Sequence, residues 1–241
     1  AYSHALYYDH YLHFTVSEST DLLFSGGYSS PNYQPHYDNP HYLDGIRRYI
    51  IGLSKTHNFK MKTAGIYIHI PFCEKKCIYC DYYSIEKQGK DISRFVAMLH
   101  REIELNAKKY ERDWIFDTIY FGGGSPALLP INDINNIINK LCLHFNILDD
   151  IELTLEVNPG ETTKENLFLL KKAGVNRLSI GFQSLDPELL KTLSRTHNPD
   201  DCFKTFENAQ VARFDNISID MMYNIPGQSV TRWTDDLETM V

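Results

Sequence analysis

Cys73, Cys77 and Cys80 place three thiols within eight residues. Thiolates are soft ligands that select iron–sulfur clusters or zinc over hard cations. A closed zinc site takes four ligands, usually from paired C-x2-C knuckles, and neither Cys142 nor Cys202 belongs to a second such pair. On a four-iron cube, three cysteines leave one iron without a protein ligand, and an open position of that kind can bind and activate a small molecule. A structural zinc ion is the competing reading. Five cysteines, three of them crowded together, suit a reducing compartment better than a disulfide framework.

Other residues offer polar chemistry nearby in the pattern. Gly122, Gly123 and Gly124 precede Ser125 and Pro126, and glycines there let backbone groups approach a ligand that a Cβ would hold off. In IELTLEV, Ile151, Leu153, Leu155 and Val157 share one face, with Glu152, Thr154 and Glu156 on the other, since strand side chains alternate. Glu156 at the end of that polar face offers a carboxylate for charge-assisted bonds, or for an ordinary ion pair. His69 shares a face with Tyr67 and points either towards the thiols or into a hydrogen-bonded core position. Cys142 and Cys202 fall in amphipathic helical patterns and are expected to pack as small apolar residues. His10 and His13 are the closely spaced pair among six N-terminal histidines. On a helix they would clamp a metal; otherwise they are a surface pair.

Positioning these groups requires elements, and from Met61 onward short apolar strands alternate with amphipathic helices, the signature of parallel βα units. The pattern predicts strands over 65–70, 118–122, 151–157, 178–182 and 218–223. It predicts helices over 91–110, 131–144, 163–173, 187–193, 200–212 and from 231. In a parallel barrel, chemistry sits where strands end, and these ends carry PFCEKKCIYC, GGGSP, EVNPG, QSLDP and NIPGQ. Five strands predict an α/β fold, a partial (β/α)6-type barrel with one side open, whose exposed parallel edge would lower stability or invite pairing.

Residues 1–60 differ from the remainder. They hold nine of the sixteen tyrosines and six of the ten histidines, include the turn-rich SGGYSSPNYQPHYDNPHY, and show one short helical pattern at DGIRRYIIGLSK. We read them as a separate N-terminal segment of unassigned role, with 61–241 as the core domain. A net charge of −7 gives no basic field to gather nucleic acid or anionic lipid. No apolar stretch reaches membrane-spanning length and no secretory signal opens the chain. The expectation is a cytoplasmic protein without a nucleic-acid partner or transmembrane segment.

IYIHIPFCEKKCIYCDYYS followed by YFGGGSP, LEVNP, RLSIGFQSLDPELLKTLSR and ISIDMMYNIPGQ resembles the radical S-adenosylmethionine superfamily. Within it, the chain resembles the branch of oxygen-independent coproporphyrinogen III oxidases and HemW-like heme chaperones, from about Gly65 to the end. The resemblance implies a 4Fe-4S cluster on Cys73, Cys77 and Cys80, with S-adenosylmethionine chelated to the open iron and lying across the strand ends. It carries cofactor contacts over to Tyr67, Tyr79, Gly123, Gly124, Ser125, Glu156, Gln183, Arg195 and Asp220. Each has a plain structural alternative: core packing for the tyrosines, ion pairs and amide hydrogen bonds for the polar groups. Ser125 stands where the branch usually has threonine, keeping the hydroxyl.

The superfamily's chemistry is one-electron reductive cleavage of the sulfonium, giving methionine and a 5′-deoxyadenosyl radical. Oxidases of the branch are expected to carry a further cysteine two residues after the third, where this chain has Tyr82. That departure favours the chaperone type, which binds heme or porphyrin and delivers heme to apo-hemoproteins of the respiratory chain, over porphyrinogen decarboxylation. Proteins of the branch continue through a sixth strand into a heme-associated region beyond Val241, and MKTAGIYIHIPFC resembles a family N-terminus.

Overall fold

The computed structural model describes residues 12–16, 62–86, 89–110 and 114–240. Its elements are β1 (Leu12–Val16), β2 (Lys62–Ile70), β3 (Phe72–Cys73), β4 (Ile85–Glu86), α1 (Gly89–Tyr110), β5 (Trp114–Gly123), a 3-10 turn (Pro126–Leu128), α2 (Ile131–His144), β6 (Ile147–Val157), α3 (Lys164–Lys172), β7 (Arg177–Gln183), α4 (Pro187–Thr192), α5 (Pro199–Val211), β8 (Asn216–Met221) and α6 (Val230–Met240). The main sheet runs β1-β2-β5-β6-β7-β8. From β2 to β8 all pairings are parallel, the open five-strand arc of a partial barrel that the alternation predicted. β1 adds an antiparallel strand on the free side of β2, with Leu12 opposite Ile68 and Val16 opposite Ala64.

The sheet has an oily face and a polar one. Ala64, Ile66, Ile68 and Ile70 of β2, Leu153, Leu155 and Val157 of β6, and Leu178 and Ile180 of β7 join one core with the helices. α1 contributes Phe95, Val96, Leu99 and Ile103, and α2 contributes Ile134, Ile137, Ile138 and Leu141, the three-and-four spacing of a helix lying on a sheet. Strand alternation leaves the opposite face to Tyr67, Tyr120, Thr154, Glu156 and Asp220, which line cavities. A register shift between Phe116 and Thr118 in β5 lets Phe116, Ile119 and Phe121 all reach the core while Thr118 and Tyr120 face the cavity.

Several helix starts are written locally. Asp186 accepts from the Glu188 and Leu189 amides to begin α4, and Asn198 with Asp201 forms a capping box at α5, each with proline at the first helical position. Thr163 accepts from the Asn166 amide at α3.

Some expectations change. His13 lies in β1, so the helical face on which His10 and His13 would have clamped a metal does not form there; His10 lies outside the described residues. The helix expected at 44–55 also lies outside them. Strand β8 stops at Met221, and Tyr223 is exposed. Cys202 is fully buried as expected, and burial pushes its thiol up to about 12. Cys142 is instead exposed, because it follows Leu141, which takes the core position of that turn, and the next residue is rotated about 100° away.

Buried His197, against the Phe182 carbonyl at 3.1 Å, has its imidazole lowered to about 4 by burial and then by Arg195. Above pH 6.5 the ring is neutral in both folded and unfolded chains. Between pH 6.5 and 4 only the unfolded chain takes the proton, so folding stability falls as pH falls through that window. The loss should reach roughly 2–3 kcal/mol near pH 4, at about 1.4 kcal/mol per pH unit. Urea unfolding from pH 7 to 4.5 checks this: His197→Gln should flatten the acid arm, and an unchanged pH dependence would contradict it.

Candidate functional site

A cavity of ≈ 190 Å3 opens where the parallel strands end. Its walls carry Cys73, Cys77 and Cys80, Tyr79, Gly123, Gly124, Ser125, Glu156, Gln183, Arg195 and Asp220. The three cysteines and every cofactor contact that the resemblance carries over except Tyr67 therefore meet in one place, while His69, Cys142 and Cys202 lie off its wall. Tyr67 stacks on Tyr120 at 5.9 Å and lines a second, larger cavity of ≈ 820 Å3 that shares Gly123, Glu156, Asp220 and Tyr82 with the first.

The thiol loop is clipped at its base. β3 and β4 pair with Phe72 opposite Ile85 and Cys73 opposite Glu86, and the Ile85 amide donates to the Pro71 carbonyl at 2.7 Å. Within the loop, the Cys80 amide donates to the Cys77 carbonyl at 3.2 Å. All three cysteines are partly exposed. Burial pushes the Cys73 thiol up, offset in part by the Ser84 hydroxyl. Among the described residues, no three His, Cys, Asp or Glu side chains close around a single-ion site; the thiols line the cavity wall from one loop. Tyr79 packs beside the small cluster of Leu189, Leu193 and Ile225, and burial pushes its phenol up to about 12.

The glycine run has a reason in the chain itself. Gly124 donates its amide to the Ile70 carbonyl at 2.7 Å, and Ser125 donates to Phe72 at 2.6 Å. A Cβ on Gly124 would stand 2.5 Å from the Phe72 carbonyl oxygen and 2.9 Å from that of Ile70. Gly123 has φ +109, and a Cβ there would meet the His69 ring at 2.6 Å. The close approach these glycines permit is thus to β2, β3 and His69, with the cavity on their other side. His69 is a hydrogen-bonded histidine: Nε2 lies 2.8 Å from the Tyr83 carbonyl and Nδ1 3.2 Å from the Tyr67 hydroxyl.

Two carboxylates are held by networks. Tyr120 donates to Glu156 Oε1 at 2.8 Å and the Gly123 amide donates to Oε2 at 3.0 Å. Burial raises the Glu156 pKa, while these two donors oppose the rise. Asp220 accepts from the Ser179 hydroxyl through both oxygens, at 3.1 and 3.0 Å. A third carboxylate, Glu161, accepts from Ser125 Oγ at 3.1 Å and from Asn158 Nδ2 at 3.1 Å, and burial raises its pKa as well. Arg195 donates from Nη2 to Asn158 Oδ1 and to the Gly181 carbonyl. Gln183 closes β7 with φ 68, a conformation rare for a side-chain-bearing residue.

Sequence reading missed Tyr120, Asn158, Glu161 and Ser179. Tyr120 carries a local signal, since it alternates with Thr118 and Gly122 along its strand. Asn158 and Glu161 bond each other three residues apart, but they and Ser179 reach the site through partners 33, 36 and 41 residues away.

A model of the radical SAM superfamily matches residues 67–240, well over half of the chain. The chain belongs to the radical SAM superfamily. Within that superfamily it is 36% identical over 181 residues to the heme chaperone HemW of Bacillus subtilis, covering 74% of this chain and 47% of that protein. It is 28% identical over 223 residues to the oxygen-independent coproporphyrinogen III oxidase of Pseudomonas aeruginosa, covering 89% of this chain and 48% of that protein. Among solved structures, the coproporphyrinogen III oxidase HemN of Escherichia coli aligns with a TM-score of 0.67 at 27% identity, over 72% of this chain and 40% of that one. The chain thus spans about half the length or less of these relatives.

Membership of the radical SAM superfamily implies a 4Fe-4S cluster and S-adenosylmethionine. The residues fit such groups. Three thiols face one cavity with polar groups around them, and Arg195 Nε is buried without a partner, a donor that a bound anionic group would satisfy. Among the described residues, no helix is long and apolar enough to cross a membrane.

Proposed function

We propose that this chain forms the cluster- and cofactor-binding part of a HemW-type heme chaperone. The observation that carries the choice is Tyr82: it lines the cavity, 61% exposed, where oxidases of the branch are expected to carry a further cysteine. The remaining cysteines do not line the cavity, Cys142 being exposed on α2 and Cys202 buried in α5. Similarity to the HemW of Bacillus subtilis supports the same reading.

In this proposal Cys73, Cys77 and Cys80 hold the cluster, and Gly123, Gly124, Ser125, Glu156, Gln183, Arg195, Asp220 and Tyr79 surround S-adenosylmethionine. Tyr67 contributes indirectly, packing under Glu156 through Tyr120. When bound and reduced, the cluster supplies one electron to the sulfonium, the reaction common to the superfamily. The chain's own residues bind and orient. Glu156, fixed by Tyr120 and Gly123, presents a carboxylate to ribose hydroxyls or to the ammonium group. The unpartnered Arg195 Nε offers a donor to the cofactor carboxylate. Heme is the cargo, delivered in the cytoplasm to apo-hemoproteins of the respiratory chain.

A second reading, the porphyrinogen oxidase, draws support from the Pseudomonas match: 89% of 241 residues is about 214, and only 181 residues follow position 60, so that match enters the first 60. The test uses the complete protein, reconstituted anaerobically, in two assays. Hemin should bind in equimolar amount with a sharp Soret band. Coproporphyrinogen III, supplied with S-adenosylmethionine and dithionite, should remain unconverted. Decarboxylated product whose formation disappears in Cys77→Ala would overturn the chaperone assignment.

A further inference from the structure

Arg195 reaches across 118 residues to place Nη1 3.7 Å from Cys77 Sγ. This hydrogen bond brings a cationic side chain to a thiol of the loop, and the guanidinium making it is not free to turn. Nη2 donates to the Gly181 carbonyl at 2.9 Å and to Asn158 Oδ1. Asn158 is fixed in turn, its amide donating to Ser125 Oγ at 2.7 Å and to Glu161 Oε2 at 3.1 Å. Glu161 also accepts from Ser125, which closes a ring of three side chains behind the arginine. A guanidinium is a planar fork, so holding one arm on two acceptors directs the other arm.

The direction has a consequence for electron affinity. The potential of an iron–sulfur cluster depends on net charge, hydrogen bonds to its sulfurs and solvent exposure. Reduction adds one electron to the cluster, with no bond formed or broken and no proton taken up, and part of the added negative charge falls on the ligating thiolates. A cationic donor at one of those sulfurs stabilises the reduced form more than the oxidised form and raises the potential.

We propose that Arg195, held by Asn158 and Glu161, tunes the reduction potential of the cluster through the Cys77 sulfur, in addition to any contact with S-adenosylmethionine. The inference rests on the reading that Cys73, Cys77 and Cys80 hold a cluster. Asn158 and Glu161 are positioning residues, acting through the arginine.

The test is a dithionite redox titration followed by electron paramagnetic resonance, on reconstituted protein without S-adenosylmethionine. A contact confined to that cofactor would leave every midpoint in place under these conditions. Arg195→Gln should lower the midpoint by about tenfold in the reduction equilibrium, ~59 mV for a one-electron couple. Arg195→Lys, which keeps the charge and loses the fork, should fall between Arg195→Gln and wild type. Asn158→Ala, which releases the fork while keeping the cation, should shift the midpoint about threefold in the same direction. An Arg195→Gln protein with wild-type iron content and a wild-type midpoint overturns the proposal. If Arg195→Gln fails to load, an unmoved midpoint in Asn158→Ala overturns it. A wild-type protein that shows no cluster signal defeats the underlying site assignment instead, which separates the two failures.

Discussion

Replacing Cys77 with alanine should abolish the cluster while leaving the fold in place. Cys77 lies in the middle of the thiol loop, and the only other cysteines of the chain are an exposed one on α2 and a buried one in α5. No substitute thiol is therefore at hand, and two remaining ligands cannot secure a cube whose open iron already lacks one. Reconstituted Cys77→Ala should lose its broad absorption near 400 nm, with iron falling from about four to well under one per chain. The loop contributes little to the core, which is built from β2, β5, β6 and β7 against α1, α2, α3 and α5. Unfolding of the cluster-free forms should then agree within about 0.5 kcal/mol, as for surface substitutions away from packed features. A Cys77→Ala protein that retains its full iron content would contradict the ligand assignment.

The second large effect is expected at Gly124. An added Cβ would stand 2.5 Å from the Phe72 carbonyl oxygen, and a backbone atom cannot rotate aside as a side chain would. The strand exit must move away from β3, stretching the Gly124–Ile70 and Ser125–Phe72 hydrogen bonds of 2.7 and 2.6 Å. Overpacking of this kind costs about 1–3 kcal/mol and each of the two weakened hydrogen bonds about 0.5–1.5 kcal/mol, so Gly124→Ala should destabilise by roughly 2–6 kcal/mol. Because Ser125, Glu161 and Asn158 are tied together just beyond this point, the same change should weaken S-adenosylmethionine binding at least tenfold. Urea unfolding and calorimetric titration check both parts. A variant as stable as wild type would show that β5 and β3 are not packed as described.

Much of the architecture was legible because its causes are local. Asp186 before Pro187 and Asn198 before Pro199 announce helix starts, and apolar spacing on α1 and α2 announces the faces they bury. The thiol loop was legible for the same reason, since its three cysteines lie within eight residues. The alternation of β6 was visible from Ile151, yet the strand begins at Ile147, because Asp149 and Asp150 interrupt the apolar pattern. The early half of β5 was hidden by the shift at Phe116 and Thr118, which breaks a strict period of two.

What sequence could not supply was long-range partnership. β1 finds β2 some fifty residues away, with nothing in LHFTV to name its partner. Asn158 and Glu161 gain meaning only once Ser125 and Arg195 are brought beside them. The glycine run reads in sequence as a place where a ligand could approach; within the chain, added Cβ atoms at Gly123 and Gly124 would meet His69, Ile70 and Phe72, and at Gly122 they would meet Tyr120, Glu156 and Tyr67. Gly122–Gly124 could not have indicated this alone, since tolerance for a ligand and tolerance for another strand look the same in one segment.

The most direct test of the account is electron paramagnetic resonance of the anaerobically reconstituted, dithionite-reduced protein, recorded with and without S-adenosylmethionine. A reduced-cluster signal should appear whose shape and position change when the cofactor is added, as one iron gains ligands from it. A signal that does not move would contradict the open-iron site at the strand ends, and zinc in place of iron would return Cys73, Cys77 and Cys80 to a structural role.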